Sequence, residues 1–527
     1  MKQKIFSICS LLSISASALL LAGCAEEFEN GYSVEKPAEV TQTEQLAQYA
    51  PLKSYIDASN FRLGNTLQSS VFDEMGVAAS MTLSNFNEVS IPNLFVHNSL
   101  VDAEGNVNTL AASTMAKTAD ERGIAIFAPA LCPSYNVNTT YLEDLIKPVI
   151  VEEEAKTGTD VFDFEDYDLG ATFPLQKATG EEGRGNVVVE NDPAGVSGHV
   201  IHVSKTTHSF PTITLKFPEG RKLGDYHELH IDFYAKNATS RNQTLFFSMG
   251  GKNAEYKKAA DFGCLLNTWG RGAIVIDLDA MSYSDSQKEQ TEVTMVFGPK
   301  LMNCEYYIDN ISLSYSYNPT YEVEKTPEEK HQIIGGELNK YITAVMTACP
   351  TIPAWVVSDG PVSAPATQIW KQNMGATYFI EAAAMMRQQA PTAKLFVTEY
   401  VTDATVRSQL LSLLAANSNQ IDGFDVPVTI DATSFDASEF AAMLADLAGT
   451  GKLVRLNIQA FKGQSDADAG TALAQAVAAF KAQVPAAQRY GISFAEANES
   501  SSNAGLWTQG YNRKPTYAAF VNALQSK

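Results

Sequence analysis

Apolar and polar positions change rhythm twice along this 527-residue chain. From about Leu52 to Lys147, short apolar runs alternate with helical ones: Asn60 to Leu63, Asn93 to His97, a helix over Asn108 to Arg122, then Ile124 to Phe127. After Glu328 the alternation resumes. It predicts helices over Glu329 to Thr347, Ala376 to Gln389, Thr405 to Ala415, Ala437 to Leu447 and Thr471 to Gln483. Strands are expected between them at Ala354 to Val357, Lys394 to Val397, Gly423 to Val428, Leu453 to Ile458 and Gly491 to Phe494. Phe440, Met443, Leu444 and Leu447 make the i, i+3, i+4, i+7 stripe of a helix lying on a sheet. Repeated units of this length imply an α/β fold, either a (β/α)8 barrel or a doubly wound sheet.

Between these two stretches, residues 160–316 read as short alternating strands broken by Gly, Asn and Asp, such as Val200 to Val203, Thr212 to Leu215 and His230 to Tyr234. That spacing is a β-sandwich, and its place predicts an inserted domain. The expected division is 1–24 leader, 25–48 linker, 49–157 first part of the α/β domain, 160–316 insert and 328–527 second part. The acidic stretches Glu152 to Thr157 and Tyr321 to Glu329 are the expected linkers. About 500 residues after the leader exceed what one core holds, which independently requires two domains or more.

The N-terminus has Lys2 and Lys4, an apolar run from Ile5 to Leu21, and Leu21-Ala22-Gly23-Cys24, the order of a secretory signal. A cysteine after small residues at the cleavage point resembles the bacterial lipobox, which implies an acyl anchor on Cys24 and attachment to a lipid bilayer. The run Ala25-Glu26-Glu27-Phe28-Glu29 resembles the acidic export tag of Bacteroidetes outer-membrane surface lipoproteins; it reads equally as a solvated spacer. No second apolar run reaches the ~20 residues of a membrane span.

A net charge of −22 argues against nucleic acid and anionic headgroups as partners, and leaves neutral polysaccharides unaffected. Of six cysteines, Cys9 leaves with the leader and Cys24 is the anchor. Cys132, Cys264, Cys304 and Cys349 show no CxxC spacing, so zinc and thioredoxin-like readings are weak, and both disulfides and buried thiols stay open.

Several segments together resemble glycoside hydrolase family 10, the retaining endo-1,4-β-xylanases: Asn60 to Gly64, Phe86 to Val89, Trp370 to Gly375, Ala393 to Phe396, Ile421 to Gly423, Gly451 to Arg455, Gly505 to Trp507 and Tyr511 to Tyr517. The resemblance implies a TIM barrel. The insert opens with Phe162-Asp163-Phe164-Glu165 and closes with Tyr306 to Ile311, which resemble the ends of family 4 and family 22 carbohydrate-binding modules. A jelly-roll sandwich is implied there, together with a structural Ca2+ held through Glu165 and Asp309. Trp269 is a candidate sugar-stacking residue or a core tryptophan; Tyr283, Tyr256 and Tyr307 are weaker candidates.

A retaining glycosidase needs two carboxyl groups ~5 Å apart, one as acid then base and one as nucleophile. Aligned without gaps on the family's acid/base stretch, Trp355 to Pro361 puts Gly360 at the acid/base and Asp359 at the preceding Asn. After Lys452 to Arg455, Ile458 falls at the nucleophile. The sugar-gripping set is reduced as well, with Phe86, Ser90, Pro129, Pro133, Pro427, Thr429 and Phe494 in place of polar or aromatic partners; Asn87 and Glu88 survive. Asp359, Glu399, Asp425 and Glu496 stand at or near predicted strand ends, where a relocated pair would form, although such carboxylates are commonly helix caps.

Three functions compete: a non-catalytic surface protein binding xylan or a related plant polysaccharide, a xylanase with a relocated pair, and a protein-interaction scaffold within a glycan-uptake complex. All three share the anchor. Cys24→Ala is therefore expected to move the protein out of the membrane fraction and abolish labelled-palmitate incorporation; a variant that still sediments and still incorporates label contradicts the lipobox.

Overall fold

The computed structural model describes residues 36–57, 59–236, 244–258, 270–300 and 305–526. They form two compact units, one running to Lys147 and resuming at Lys325, the other Pro148–Glu324. Cys24, Cys264, Cys304 and Trp269 lie outside the described residues.

In the first unit eight parallel strands close on themselves: β1 (Arg62–Thr66), β2 (Glu88–Ser90), β3 (Ala125–Ala128), β4 (Ala354–Asp359), β5 (Lys394–Thr398), β6 (Gly423–Asp431), β7 (Leu453–Lys462) and β8 (Arg489–Phe494). Closure is made by β8 pairing back onto β1, with Leu63 opposite Ile492. This is the (β/α)8 barrel, and the doubly wound alternative falls.

Helix ends follow local chemistry. The helix Pro327–Ala348 starts at Thr326, whose hydroxyl accepts from Glu329 N at 3.2 Å while the Glu329 carboxylate accepts from Thr326 N at 2.7 Å. That reciprocal cap satisfies two otherwise orphaned donors. Its inner face buries Leu338, Ile342 and Val345 against the strands.

Two layers fill the barrel. Phe127, Ala354, Val356 and Phe396 form a small apolar cluster, with Leu453 and Tyr490 packed on it. One step further along β7 stands Arg455, 1 % exposed. Its Nη2 lies 2.9 Å from Glu88 Oε1 on β2, its Nη1 lies 2.6 Å from Asp425 Oδ1 on β6, and the guanidinium covers the Phe127 ring at 3.8 Å. Tyr490 donates to the other Glu88 oxygen at 2.8 Å, and Thr398 and Asn457 donate to Asp425 Oδ2. Gly64 on β1 faces this layer, where a Cβ would come within 2.8 Å of Ser493 Cβ and 3.1 Å of Glu88 Oε1, so only glycine admits the network.

The sequence pattern misplaced one strand. Asn93 to His97 is not extended: the second strand is Glu88–Ser90, and a short helix starts at His97. Three residues led by a lumen-facing carboxylate have no apolar rhythm to detect. The expected linker 25–48 contains the helix Ala38–Ala47. Cys132 and Cys349 are buried free thiols. Among the described residues no helix is long and apolar enough to cross a membrane.

The second unit has two antiparallel sheets. One runs Gly270–Asp277, Tyr226–Lys236, Glu305–Tyr317, His199–Ser204, Asn186–Asn191, with Lys156–Phe162 also paired to Glu305–Tyr317; the other runs Lys252–Lys258, Thr244–Met249, Glu292–Pro299, Ser209–Lys216, Leu175–Lys177. Alternate residues of both, among them Ile201, Leu215, Ile231, Phe247, Phe297 and Ile308, share one core. The expected boundaries need correction. Lys156–Phe162 crosses the supposed start at Asp160, and Val149–Glu152 pairs with Thr320–Val323 where linkers were expected.

A fragment Pro148–Glu324 has its own core and paired ends, so it is expected to melt in one cooperative transition by circular dichroism. A fragment 160–316 loses the pairs of Lys156, Thr157 and Gly158 with Tyr317, Ser316 and Tyr315, and should melt several degrees lower. An insoluble or non-cooperative longer fragment would contradict the unit.

Candidate functional site

In (β/α)8 barrels, function gathers where the strands' C-terminal ends meet the following loops. At the end of β7 the lumen-facing side chains are Arg455 and then Asn457, whose amide donates to Asp425 at 3.1 Å and accepts from Gln459 at 2.9 Å. Val454, Leu456 and Ile458 point the other way, into the core between strands and helices. Ile458 therefore does not stand where a nucleophile would face a substrate. The side chains that do face inward are the guanidinium of Arg455 and the amide of Asn457.

The end of β4 is different. Gly360 has φ +65°, a left-handed conformation that strains any side-chain-bearing residue. A Cβ built there would lie 2.8 Å from Ser363 Oγ, 3.8 Å from Ser134 Oγ and 3.9 Å from the Tyr135 hydroxyl. Three hydroxyls thus line the space into which an acid/base side chain would extend. Asp359 beside it accepts from Ser134 N at 2.6 Å, and Ser134 Oγ donates to the Asp359 carbonyl. Burial pushes the Asp359 carboxyl up to about 6, against the lowering effect of its Ser134 hydrogen bonds and with a smaller push from Glu399.

Glu399, at the end of β5, is 1 % exposed. Its oxygens accept from Val362 N, Ser363 N, Ser363 Oγ and Tyr400 N at 2.8 to 3.2 Å, so it anchors the turn after Gly360. Tyr135 and Tyr400 stand at this corner, 56 % and 55 % exposed. Burial of its hydroxyl, together with the charge of Asp359, raises the Tyr135 pKa. Sequence reasoning missed both. The available signal was a tyrosine in the loop after β3 and another directly after β5.

The other expected site residues are dispersed. Asp425 is locked to Arg455. Glu496 is exposed and accepts from Ser500 Oγ at 2.8 Å. Asn87 lies at the opposite end of the barrel, bridging Leu63 N and the Phe61 carbonyl, and Glu88 is sealed in the ion network. Phe86 packs on Trp507, and Phe494 on Phe520.

In the second unit, Tyr283 donates to the Met249 carbonyl at 3.2 Å and packs on the core. Tyr307 is 3 % exposed, its ring stacked between His202 at 4.5 Å and Tyr234 at 5.7 Å, so its faces are taken. The Tyr256 side chain lies outside the described residues. Asp309 is 1 % exposed, and its Oδ1 has no hydrogen-bond partner among the described residues. Burial raises its pKa, Ser197 Oγ donates to its other oxygen, and Asp232 and Glu165 add negative charge nearby. Glu165 Oε1 accepts from Gly198 N and His199 N. Oxygens of this kind suit a hard cation such as Ca2+. Among the described residues, however, no three His, Cys, Asp or Glu side chains converge to hold a metal, so backbone carbonyls would have to complete such a site.

The fold is a closed (β/α)8 barrel, and the polar and tyrosine side chains just described gather at the C-terminal ends of its strands. Residues 315–523 are similar to Glycosyl hydrolase family 10. Solved structures similar to the chain include xylanase B from Clostridium stercorarium F9, at 12 % identity over 90 % of this chain and 100 % of that one, with a TM-score of 0.49. Xylanase 10B from Thermotoga petrophila RKU-1, in complex with xylobiose, aligns at 11 % identity over 91 % and 98 %, with a TM-score of 0.49. No curated protein matches the chain.

Asp359 supplies a pH test. Its folded pKa is raised, so its contribution to stability is fully present below the ordinary carboxylate value near 4 and is lost as pH rises through about 6. Asp359→Asn should therefore match the wild type near pH 4 and exceed it at pH 7 by on the order of 2 kcal/mol, a shift of a few degrees in melting temperature. His97, held to about 4 by burial, works with the opposite sign, and the variant-minus-wild-type difference cancels it. A difference that does not change between pH 4 and pH 7 would contradict the assignment.

Proposed function

We propose that this chain is a lipid-anchored glycan-binding protein built on a glycoside hydrolase barrel that no longer hydrolyses, displayed at the outer membrane to hold xylan or a related plant polysaccharide for a glycan-uptake system. The observation that carries the reading is the strand-end chemistry. The lumen-facing residues at the end of β7 are Arg455 and Asn457, neither of them a carboxylate, and the end of β4 is a left-handed glycine ringed by three hydroxyls. A retaining mechanism needs a proton donor and a nucleophile on opposite sides of the scissile bond, and Asp359 at the end of β4 has no carboxylate facing it from the end of β7. A relocated pair is disfavoured because Glu399 spends its oxygens on four donors and Asp425 on a guanidinium. In the second unit, a Ca2+ ion at Asp309 and Glu165 would relieve the orphaned, buried oxygen of Asp309.

The mature protein is expected to release no reducing ends from several xylans above background, at high concentration and over long incubation. Gly360→Glu combined with Asn457→Glu or with Ile458→Glu should be equally silent. The glutamate at 360 is strained and meets Ser363, and little remains to orient the sugar, although positioning supplies much of a glycosidase's rate. Turnover by the wild type that Asp359→Ala abolishes would overturn the proposal. Calcium is tested separately: EDTA should lower the melting temperature of the Pro148–Glu324 fragment and added Ca2+ restore it. An unchanged melt removes the ion.

A further inference from the structure

We infer that the two-stranded ribbon of Val149–Glu152 with Thr320–Val323 docks an extended segment of a partner protein in which apolar and basic residues alternate. The inference goes beyond glycan binding and does not rest on it. Opposite residues of an antiparallel pair share a face of the sheet. Val149 lies opposite Val323 and Val151 opposite Tyr321, so four apolar side chains make up one face of the ribbon. Ile150 opposite Glu322 and Glu152 opposite Thr320 make up the other. This alternation is the pattern of antiparallel strands that are covered on one side.

The apolar face is open. Val149, Tyr321 and Val323 are 51 %, 50 % and 43 % exposed, and Val151 is half-buried. Neither strand pairs with a third among the described residues. Solitary exposed apolar residues are ordinary, whereas several gathered on one small face mark a contact surface. An open strand edge beside such a face is a template for a further strand, whose backbone pairs with the edge while its side chains extend the two faces alternately. Two strands alone are marginal, and a third supports them.

Charge selects the occupant. Glu152 and Glu322 stand on the polar face, and Glu153, Glu154 and Glu324 follow the two strands directly. Of the lysines next to them in sequence, Lys147 pairs with Asp144, Lys156 with Glu153, and Lys325 donates to the Lys147 carbonyl. A second copy would set these carboxylates against their own kind, and like charges across strands are destabilising. Anionic lipid headgroups are repelled by the same residues, in a chain of net charge −22. A strand with aliphatic residues beside Val149, Val151, Tyr321 and Val323, and Lys or Arg beside Glu152 and Glu322, suits both faces at once.

The test uses the full mature protein carrying Cys24→Ala and a short fluorescent peptide of alternating Val and Lys, compared by anisotropy with peptides of alternating Ser and Lys and of alternating Val and Glu. The Val-Lys peptide should bind about tenfold more tightly than either of the others. Val149→Ser with Val323→Ser should weaken it about tenfold. Glu152→Lys with Glu322→Lys should exchange the preference for the Val-Glu peptide. That second pair leaves the apolar face intact and decides the matter should the serine pair misfold. Equal binding of the three peptides overturns the proposal, and so does a charge-reversed variant that keeps the wild-type preference. Sedimentation velocity and flotation with vesicles of phosphatidylethanolamine and phosphatidylglycerol cover the other occupants. A dimer dissolved by the serine pair assigns the face to a second copy, and vesicle recovery lost with the serine pair assigns it to the bilayer; either result overturns a protein partner.

Discussion

Arg455 sits inside a closed ring of eight strands, and a charge survives there because carboxylates from β2 and β6 reach it from two sides while the Phe127 ring covers its face. Removing the guanidinium would leave two buried carboxylates without a counter-charge, a loss on the order of 3 to 5 kcal/mol for a broken buried pair. Much else in the barrel follows from this arrangement. Gly64 must lack a side chain, Tyr490 must turn its hydroxyl inward to Glu88, and Asn457 and Thr398 are drawn to Asp425. The middle of the barrel is thereby given over to holding strands together. Function is left to the rim.

At the rim, the end of β4 gathers hydroxyl, carboxyl and tyrosine side chains, while the end of β7 presents the amide of Asn457. Glu399 fixes the turn after β4 through four donors, which holds Gly360 in its left-handed conformation and sets Ser363 beside it. Burial then raises the Asp359 carboxyl to about 6. A raised carboxyl in a barrel mouth is a common mark of a catalytic acid. Here it has no facing carboxylate on β7 to work with, and the same burial is what any acid wedged between a tight turn and a neighbouring strand would experience.

The second unit owes its shape to a different economy. Two sheets share one core, and its chain ends are tied by a two-stranded ribbon on residues that look, by composition, like acidic linkers. Strand pairing there is decided by backbone partners that lie about 170 residues away along the chain, as in Tyr321 opposite Val151.

How much could be read in advance depended on how local the cause was. Helices with an apolar stripe and a capping residue, such as Ala437–Ala448 behind Asp436 or Pro327–Ala348 behind Thr326, were legible because 3.6-residue periodicity and cap chemistry act within a few residues. Buried parallel strands rich in Val, Leu and Phe were legible for the same reason. The strand Glu88–Ser90 was not, since its leading residue is polar for a reason located on β7. That Gly360 and Ile458 fall where the family resemblance expects glutamates was visible in the sequence, while the direction each side chain faces was not. Ile458 looked like a lost nucleophile and is a core residue; Glu88 looked like a sugar ligand and is half of a buried ion pair. Tyr135 and Tyr400 were visible only as two tyrosines in separate loops, 265 positions apart. By itself the sequence determined most of the elements and the two-unit organisation, because these depend on residue type and short spacing. Which polar groups are spent on the fold and which remain to meet a ligand was decided by barrel closure alone, because that brings distant strands' side chains within hydrogen-bonding reach and sets which face each one presents.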